Sequence, residues 1–201
     1  DEQGPARAAF HDAVLHPPGA IRTNAGDPYS VYTHFWRKWR DREKDDPYEA
    51  PSADRLAGVE GDALPSLAGL GVEEPVADVL EATPAAARER LDDFCAGPIY
   101  DYAEDRDYPA REGTSRLSPH LKFGTLGVRE TYRRTDGAMA DAGSEAERES
   151  VETFQGQLAW REFYAQVLRF NPEVVTEDYR SYENPIEWRN DPDEIRAWKD
   201  G

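Results

Sequence analysis

The chain is short of basic residues and nearly devoid of lysine. Of its 201 residues, 24 are Lys or Arg against 41 Asp or Glu, a net charge of −17. Only four of the cations are lysines: Lys38, Lys44, Lys122 and Lys199. Taken alone, that balance repels nucleic acid, because phosphate contacts are built from Lys and Arg. An acidic, lysine-poor surface also resembles that of proteins from a salt-rich cytoplasm, where ions screen self-repulsion over short distances. The charge therefore speaks of habitat before partner. An ordinary acidic protein that never meets DNA would share it.

Other absences narrow the field. The single cysteine, Cys95, excludes an intrachain disulfide. It falls in the helical pattern Leu91, Phe94, Cys95, as a small core residue would. No run of 18 apolar residues occurs, so no membrane span is expected. The chain carries no signal-peptide pattern and does not start with Met, which reads as a piece of a longer, cytoplasmic protein. The four histidines, His11, His16, His34 and His120, lack metal-protease spacing, and no metal site is expected. GxGxxG, Walker A and GxSxG patterns are also missing. Disorder is excluded in turn by 5 Trp, 10 Tyr and 7 Phe, since disordered chains are poor in aromatics.

What is present reads as mainly α. The apolar run Ala13-Val14-Leu15 before Pro17-Pro18-Gly19 reads as the tail of a strand and a turn. Val31, Phe35, Trp36 and Trp39 recur at helical spacing and predict a short helix within 29–42. Residues 45–83, rich in Pro, Gly and acid, read as a connector. Pro84 opens a helix that Gly97-Pro98 ends. Ser118-Pro119 reads as an N-cap with Pro at the first helical position, for a helix to about Phe123. Thr125 is a candidate cap for a helix from Leu126 to about Arg134, with a loop over 135–143. Ser144 and Glu147 fit a capping box for the longest helix, to about Phe170. After a loop over 173–192, Pro192 opens a last helix. No internal repeat occurs.

Two segments carry candidate chemistry. Gly113-Thr-Ser-Arg-Leu-Ser118-Pro119 sets three hydroxyls and consecutive backbone N–H groups before a helix start, a place suited to a phosphate or another anion. A well-capped helix accounts equally for those residues. In Phe154-Gln-Gly-Gln-Leu-Ala-Trp-Arg-Glu-Phe-Tyr164, the residues Gln157, Trp160, Arg161 and Tyr164 lie three and four apart and share one helix face. Such a stripe can stack on a ring system and hydrogen-bond its edge. A core Trp beside a salt-bridged Arg accounts for it too.

Together the segments are more specific. The runs "RDYPAREGTSRLSPHLKFGTL" and "QLAWREFY", flanked by "GDPYSVYTHFWRKW" and "IEWRNDPDEIRAWKDG", resemble in the same order the DNA photolyase/cryptochrome family, and most closely its microbial, haloarchaeal-like members. The resemblance implies the tail of an α/β antenna domain over 1–26, a connector over 27–83, and the first half of a helical FAD-binding domain over 84–201. The remaining half and most of the antenna domain would lie outside this chain, which alone is expected to be inactive. Tyr102 and the loop residues Thr114, Ser115, Arg116, Leu117 and Ser118 would bind FAD, as would Arg161. Gln157, Trp160, Arg161 and Tyr164 would meet the damaged bases, Arg106 the DNA backbone, and Trp188 would be the outer tryptophan of an electron relay. The implied activity is light-driven splitting of cyclobutane pyrimidine dimers flipped out of DNA, with the flavin supplying the hard chemistry. A second antenna chromophore, folate or deazaflavin, would sit on the antenna domain, and a monomer is expected.

The sequence departs from many cyclobutane enzymes at Gln157, where Glu is usual, and at Phe154, where Trp is usual. Gln there also occurs in (6-4) photolyases and animal-type cryptochromes, so (6-4) repair and blue-light signalling stand as alternatives. An acidic helical interaction module is the alternative outside the family. Phosphate contacts on so acidic a chain require a local charge unlike the net charge, so the face around the site is expected to be less acidic than the rest.

Overall fold

The computed structural model describes residues 11, 13–56, 58, 61–73, 76–180, 182–184 and 186–201. Among these the elements are α1 (Tyr32–Asp41), α2 (Pro84–Ala96), α3 (Tyr102–Asp105), α4 (Ser118–Phe123), α5 (Val128–Asp141), α6 (Glu145–Phe170) and α7 (Pro192–Asp200), joined by short 3-10 turns. Among the described residues the only β pairing is an isolated bridge between Arg22 and Pro28. The mainly α expectation is met.

Local chemistry sets the helix starts. Thr83 accepts from the Ala86 N–H ahead of Pro84, and Ser144 accepts from the Glu147 N–H at 3.2 Å. Glu147 reaches back to the Gly143 N–H at 2.6 Å, which completes the box one residue further out than the usual pattern. Asp191 accepts from the Asp193 and Glu194 N–H groups and starts α7.

Other expectations need correction. Ala13-Val14-Leu15 is bent, not a strand. Its backbone donors go elsewhere, since the Leu15 and His16 N–H groups both donate to the Glu162 carboxylate. The α4 N-cap is Leu117, so Ser118 and Pro119 fall inside the first turn and the Ser118 hydroxyl caps nothing. Thr125 is drawn off to His120 Nδ1 at 2.9 Å, and α5 starts at Val128 after Gly127. The helix then runs through the small residues to Asp141, because Thr131, Thr135 and Ala138 face the core and tertiary packing overrides weak propensity. The connector carries 3-10 turns at Ala53–Arg55 and Ala68–Leu70. Of the expected antenna segment over 1–26, residues 1–10 and 12 lie outside the described residues.

Helix α6 is the axis of the fold. Its 26 residues extend about 39 Å at 1.5 Å per residue. The N-terminal half packs Val151 and Phe154 into one core with Leu91, Phe94, Cys95, Ile99 and Tyr102. There Phe154 meets Phe94 at 4.8 Å between ring centroids and Tyr102 edge-on at 5.3 Å. The C-terminal half packs Leu158, Ala159 and Phe163 into a second core with Leu15, Ile21, Phe35 and Trp39. Cys95 is buried as expected, and burial pushes its thiol up to about 11.

At the centre of the second core sits a buried carboxylate. Glu162, 2% exposed, accepts from His16 Nδ1 at 3.1 Å and from Trp39 Nε1 at 2.9 Å, besides the backbone N–H groups of Leu15 and His16. Lys44 is buried beside it, donating to the Trp39 and Arg40 carbonyls and lying 4.2 Å from the Trp39 ring centroid. Burial pulls the Lys44 ammonium down to about 8, with attraction to Glu162 opposing the fall. The burial penalty is fully present below pH 8. Between about 8 and the ordinary 10.5, the folded protein has released a proton that the unfolded chain still holds, so the penalty recedes as pH rises. Relative to Lys44→Met, the unmodified protein is expected to gain up to about 3 kcal/mol over that window. Urea denaturation of both proteins at several pH values checks this, and a flat difference refutes it.

Candidate functional site

The junction of the two cores opens into a cavity of about 520 Å³. Phe154 from the first core and Leu158 from the second both line it, so it exists because α6 serves two packing units. The loop before α4 supplies another wall with Thr114, Ser115, Arg116, Leu117 and Ser118. Tyr102 from α3, Gln157 and Arg161 from α6, and Leu80 from the connector complete the enclosure. All seven residues expected at the cofactor, together with Gln157, are therefore brought to one place.

The loop is shaped tightly. A Cβ on Gly113 would stand 2.2 Å from Asp105 Cβ, so only glycine allows the loop to pass α3. Arg116 holds a left-handed backbone, φ 51°, which costs a non-glycine residue on the order of 1 kcal/mol. Strain of this kind is concentrated at ligand sites.

The cavity's charge runs against the chain's. Arg116 and Arg161 line it, and no Asp or Glu does. The Arg161 guanidinium spends two donors on backbone carbonyls, those of Ala13 and Leu121. Burial draws its pKa below the ordinary value, with the adjacent Glu162 acting the other way. Arginine remains a cation regardless. Burial likewise raises the Tyr102 phenol, with Arg106 opposing.

The helical stripe divides. Gln157 and Arg161 face the cavity, whereas Trp160 stacks on Tyr32 at 3.6 Å and 8° and on Tyr164 at 5.5 Å and 23°. Tyr32 donates to the Gly156 carbonyl at 2.8 Å, and burial pushes its phenol up to about 12. Arg106 is not in the lining. It lies over the Tyr102 ring at 5.8 Å and 3.6 Å from Asp107. Trp188 is 74% exposed and lines a separate cavity of about 770 Å³ with Tyr179 and Tyr182. Among the described residues no cluster of His, Cys, Asp or Glu could hold a metal. No helix among them is long and apolar enough to cross a membrane.

Sequence reasoning missed Tyr32 and Glu162. A signal for Glu162 existed. It lies four residues after Leu158 and four before Gln166, so it occupies the inward stripe where an acid is out of place.

Comparison with known proteins agrees with this geometry. The family model for DNA photolyase matches residues 1–52, and that for the FAD binding domain of DNA photolyase matches residues 154–201. The deoxyribodipyrimidine photo-lyase of Halobacterium salinarum is 58% identical over 100% of this chain. That of a Synechococcus species is 37% identical over 93% of it. The chain belongs to the DNA photolyase family. The crystal structure of a bacterial class III photolyase from Agrobacterium tumefaciens superposes with a TM-score of 0.81 at 27% identity, over 94% of this chain and 40% of that one. The chain spans 43% and 40% of the length of the Halobacterium and Synechococcus relatives. The family match makes FAD the cofactor to test against the cavity.

Gly113→Ala is expected to destabilise the protein by about 1–3 kcal/mol, the usual range for overpacking. Chemical denaturation checks this, and an unchanged midpoint would mean that the loop passes α3 with room to spare.

Proposed function

We propose that the protein binds FAD in the cavity between its two cores and repairs cyclobutane pyrimidine dimers in DNA under light. The carrying observation is a carboxylate-free cavity in a chain of net charge −17, walled by hydroxyls, two arginines and aromatic rings. That lining fits the group. An anionic diphosphate needs hydroxyl and N–H donors with positive charge nearby, and a planar ring system needs apolar walls such as Phe154 and Leu158. Reduced FAD, when bound, supplies the photoexcited electron donor.

The chain's own residues take the remaining tasks. Thr114, Ser115 and Ser118 donate to the cofactor's phosphate and ribityl region, with Arg116 and Leu117 completing the loop and Tyr102 beneath it. Arg161 joins them while tying Ala13 and Leu121 to α6. Gln157 offers a donor and an acceptor to the pyrimidine pair, which suits neutral bases. The ring stack of Tyr32, Trp160 and Tyr164 offers an apolar platform beside it. Arg106, exposed, takes a DNA phosphate. Trp188 serves as the outer relay residue, and its exposure suits exchange of electrons with dissolved reductant.

The relatives' names favour cyclobutane repair over the (6-4) and photoreceptor readings. Kinship with the Halobacterium enzyme at 58% identity supports a salt-adapted, cytoplasmic protein. The domain division at residues 26 and 83, a second antenna chromophore and a monomeric state complete this reading.

The test is illumination of the FAD-loaded protein in high salt, with reductant and an oligonucleotide carrying one cyclobutane thymine dimer. Light-dependent recovery of thymine absorbance, absent in the dark, is expected. Retained FAD without recovery would overturn the assignment. Thr114→Val is expected to weaken FAD binding roughly tenfold, the loss of one hydrogen bond to a charged group at about 1.5 kcal/mol.

A further inference from the structure

Among the described residues, eleven arginines pair with carboxylates. Arg40, Arg88, Arg111, Arg129, Arg133 and Arg134 each lie within 4.0 Å of a carboxylate oxygen. One group is different. Among the described residues, Arg22, Arg37, Lys38 and Arg42 form no ion pair, and they fall together on α1 and the loop before it. Residues 16–44 carry six Lys or Arg against three carboxylates, a positive segment in a strongly negative chain.

These cations are held in place without being neutralised. Arg22 donates to the Gly19 and Gly26 carbonyls at 2.9 and 2.8 Å and lies over the Phe170 ring at 4.9 Å. Lys38 donates to the Arg22 carbonyl and Asn24 Oδ1, both at 2.9 Å. Arg42 donates to the Ala20 carbonyl at 2.8 Å. Carbonyl partners fix side-chain direction and leave the full positive charge, whereas a carboxylate would cancel it. Arg22, Lys38 and Arg42 line a cavity of about 290 Å³ that shares no residue with the flavin site. Asp41 is the single carboxylate in its wall and pairs with Arg40 at 3.4 Å. The loop that carries Arg22 turns through left-handed glycines, Gly19 and Gly26, both at φ 91°.

We infer that this surface binds the phosphate backbone of nucleic acid, apart from the lesion cavity. Charge complementarity carries the assignment. A phosphate approaching α1 at about 0.1 M salt feels charges within roughly 10 Å, so the local cations govern and the distant acids do not. Arg37 is exposed and, among the described residues, makes no hydrogen bond or ion pair, which leaves its five donors open to a ligand. Three preset cations and one free one can displace counterions from a strand at little ordering cost. The inference rests on the proposed function only for the identity of the polyanion.

The test uses the FAD-loaded protein and duplexes with and without a single cyclobutane dimer, titrated at several salt concentrations. Lys38→Gln/Arg42→Gln is expected to reduce the slope of log K against log salt by roughly 2, about 0.9 per lost phosphate contact. Preference for the dimer duplex should stay unchanged, because no lesion-facing residue is altered. Arg37→Glu, at a side chain that supports nothing in the fold, is expected to lower the slope by roughly 1, and it decides the matter should the double variant unfold. An unchanged slope in folded Arg37→Glu and in a folded double variant overturns the inference while leaving dimer repair intact. Slopes that respond in a protein with no preference for the dimer duplex would uphold this surface and count against the proposed function instead.

Discussion

One buried carboxylate joins parts of the chain that lie far apart in sequence. Glu162 on α6 gathers the Leu15 and His16 backbone N–H groups, the His16 imidazole and the Trp39 indole. A carboxylate has about four acceptor positions, and here they are filled by donors with nowhere else to go. Leaving such donors or the acceptor unpaired costs about 1–3 kcal/mol apiece, and more where charge is involved. The neighbouring Arg161 grips the same segment from the other side through the Ala13 carbonyl. Consecutive residues of α6 therefore fasten residues 13–16 with opposite polarity, and α1 follows through Trp39. The cavity between the two cores inherits its shape from this fastening, because Arg161 and Leu158 line it while their neighbours hold the second core.

Much of the architecture was legible in the sequence wherever local chemistry decides. Pro84, Ser144-Glu147 and Pro192 marked helix starts, and the structure adds Thr83 and Asp191 as side chains that cap the backbone there. The helical period of Phe35 and Trp39 marked α1. Legibility failed where long-range partners outbid local ones. Ser118 and Thr125 looked like caps, but Leu117 sits at the α4 cap and His120 claims the threonine. Ala13 to Leu15 looked extended, but Glu162 takes the Leu15 N–H and Arg161 the Ala13 carbonyl. The site followed the same rule. Loop residues 114–118 and the Gln157/Arg161 pair were identified from pattern and resemblance. The separation of Trp160 and Tyr164 into a stack on Tyr32 depended on a residue 128 positions away from Trp160 in the chain, which no local period reveals.

Charge is distributed with the same economy. The surface is strongly acidic, yet the cavity lining holds two arginines and no carboxylate, and the α1 face holds cations fixed by carbonyls. Local charge, and not net charge, describes what a surface can bind.

The double-mutant cycle of Trp39→Phe with Glu162→Gln probes the fastening most directly. Trp39→Phe removes the indole N–H together with one ring, and Glu162→Gln removes the charge shared by all the donors around it, so the cycle isolates what the two positions hold in common. Unfolding free energies are expected to show coupling of about 1–3 kcal/mol between the two positions. Additivity within about 0.5 kcal/mol would mean that Trp39 and Glu162 stabilise the fold separately, and that the carboxylate is not what binds α1 to α6.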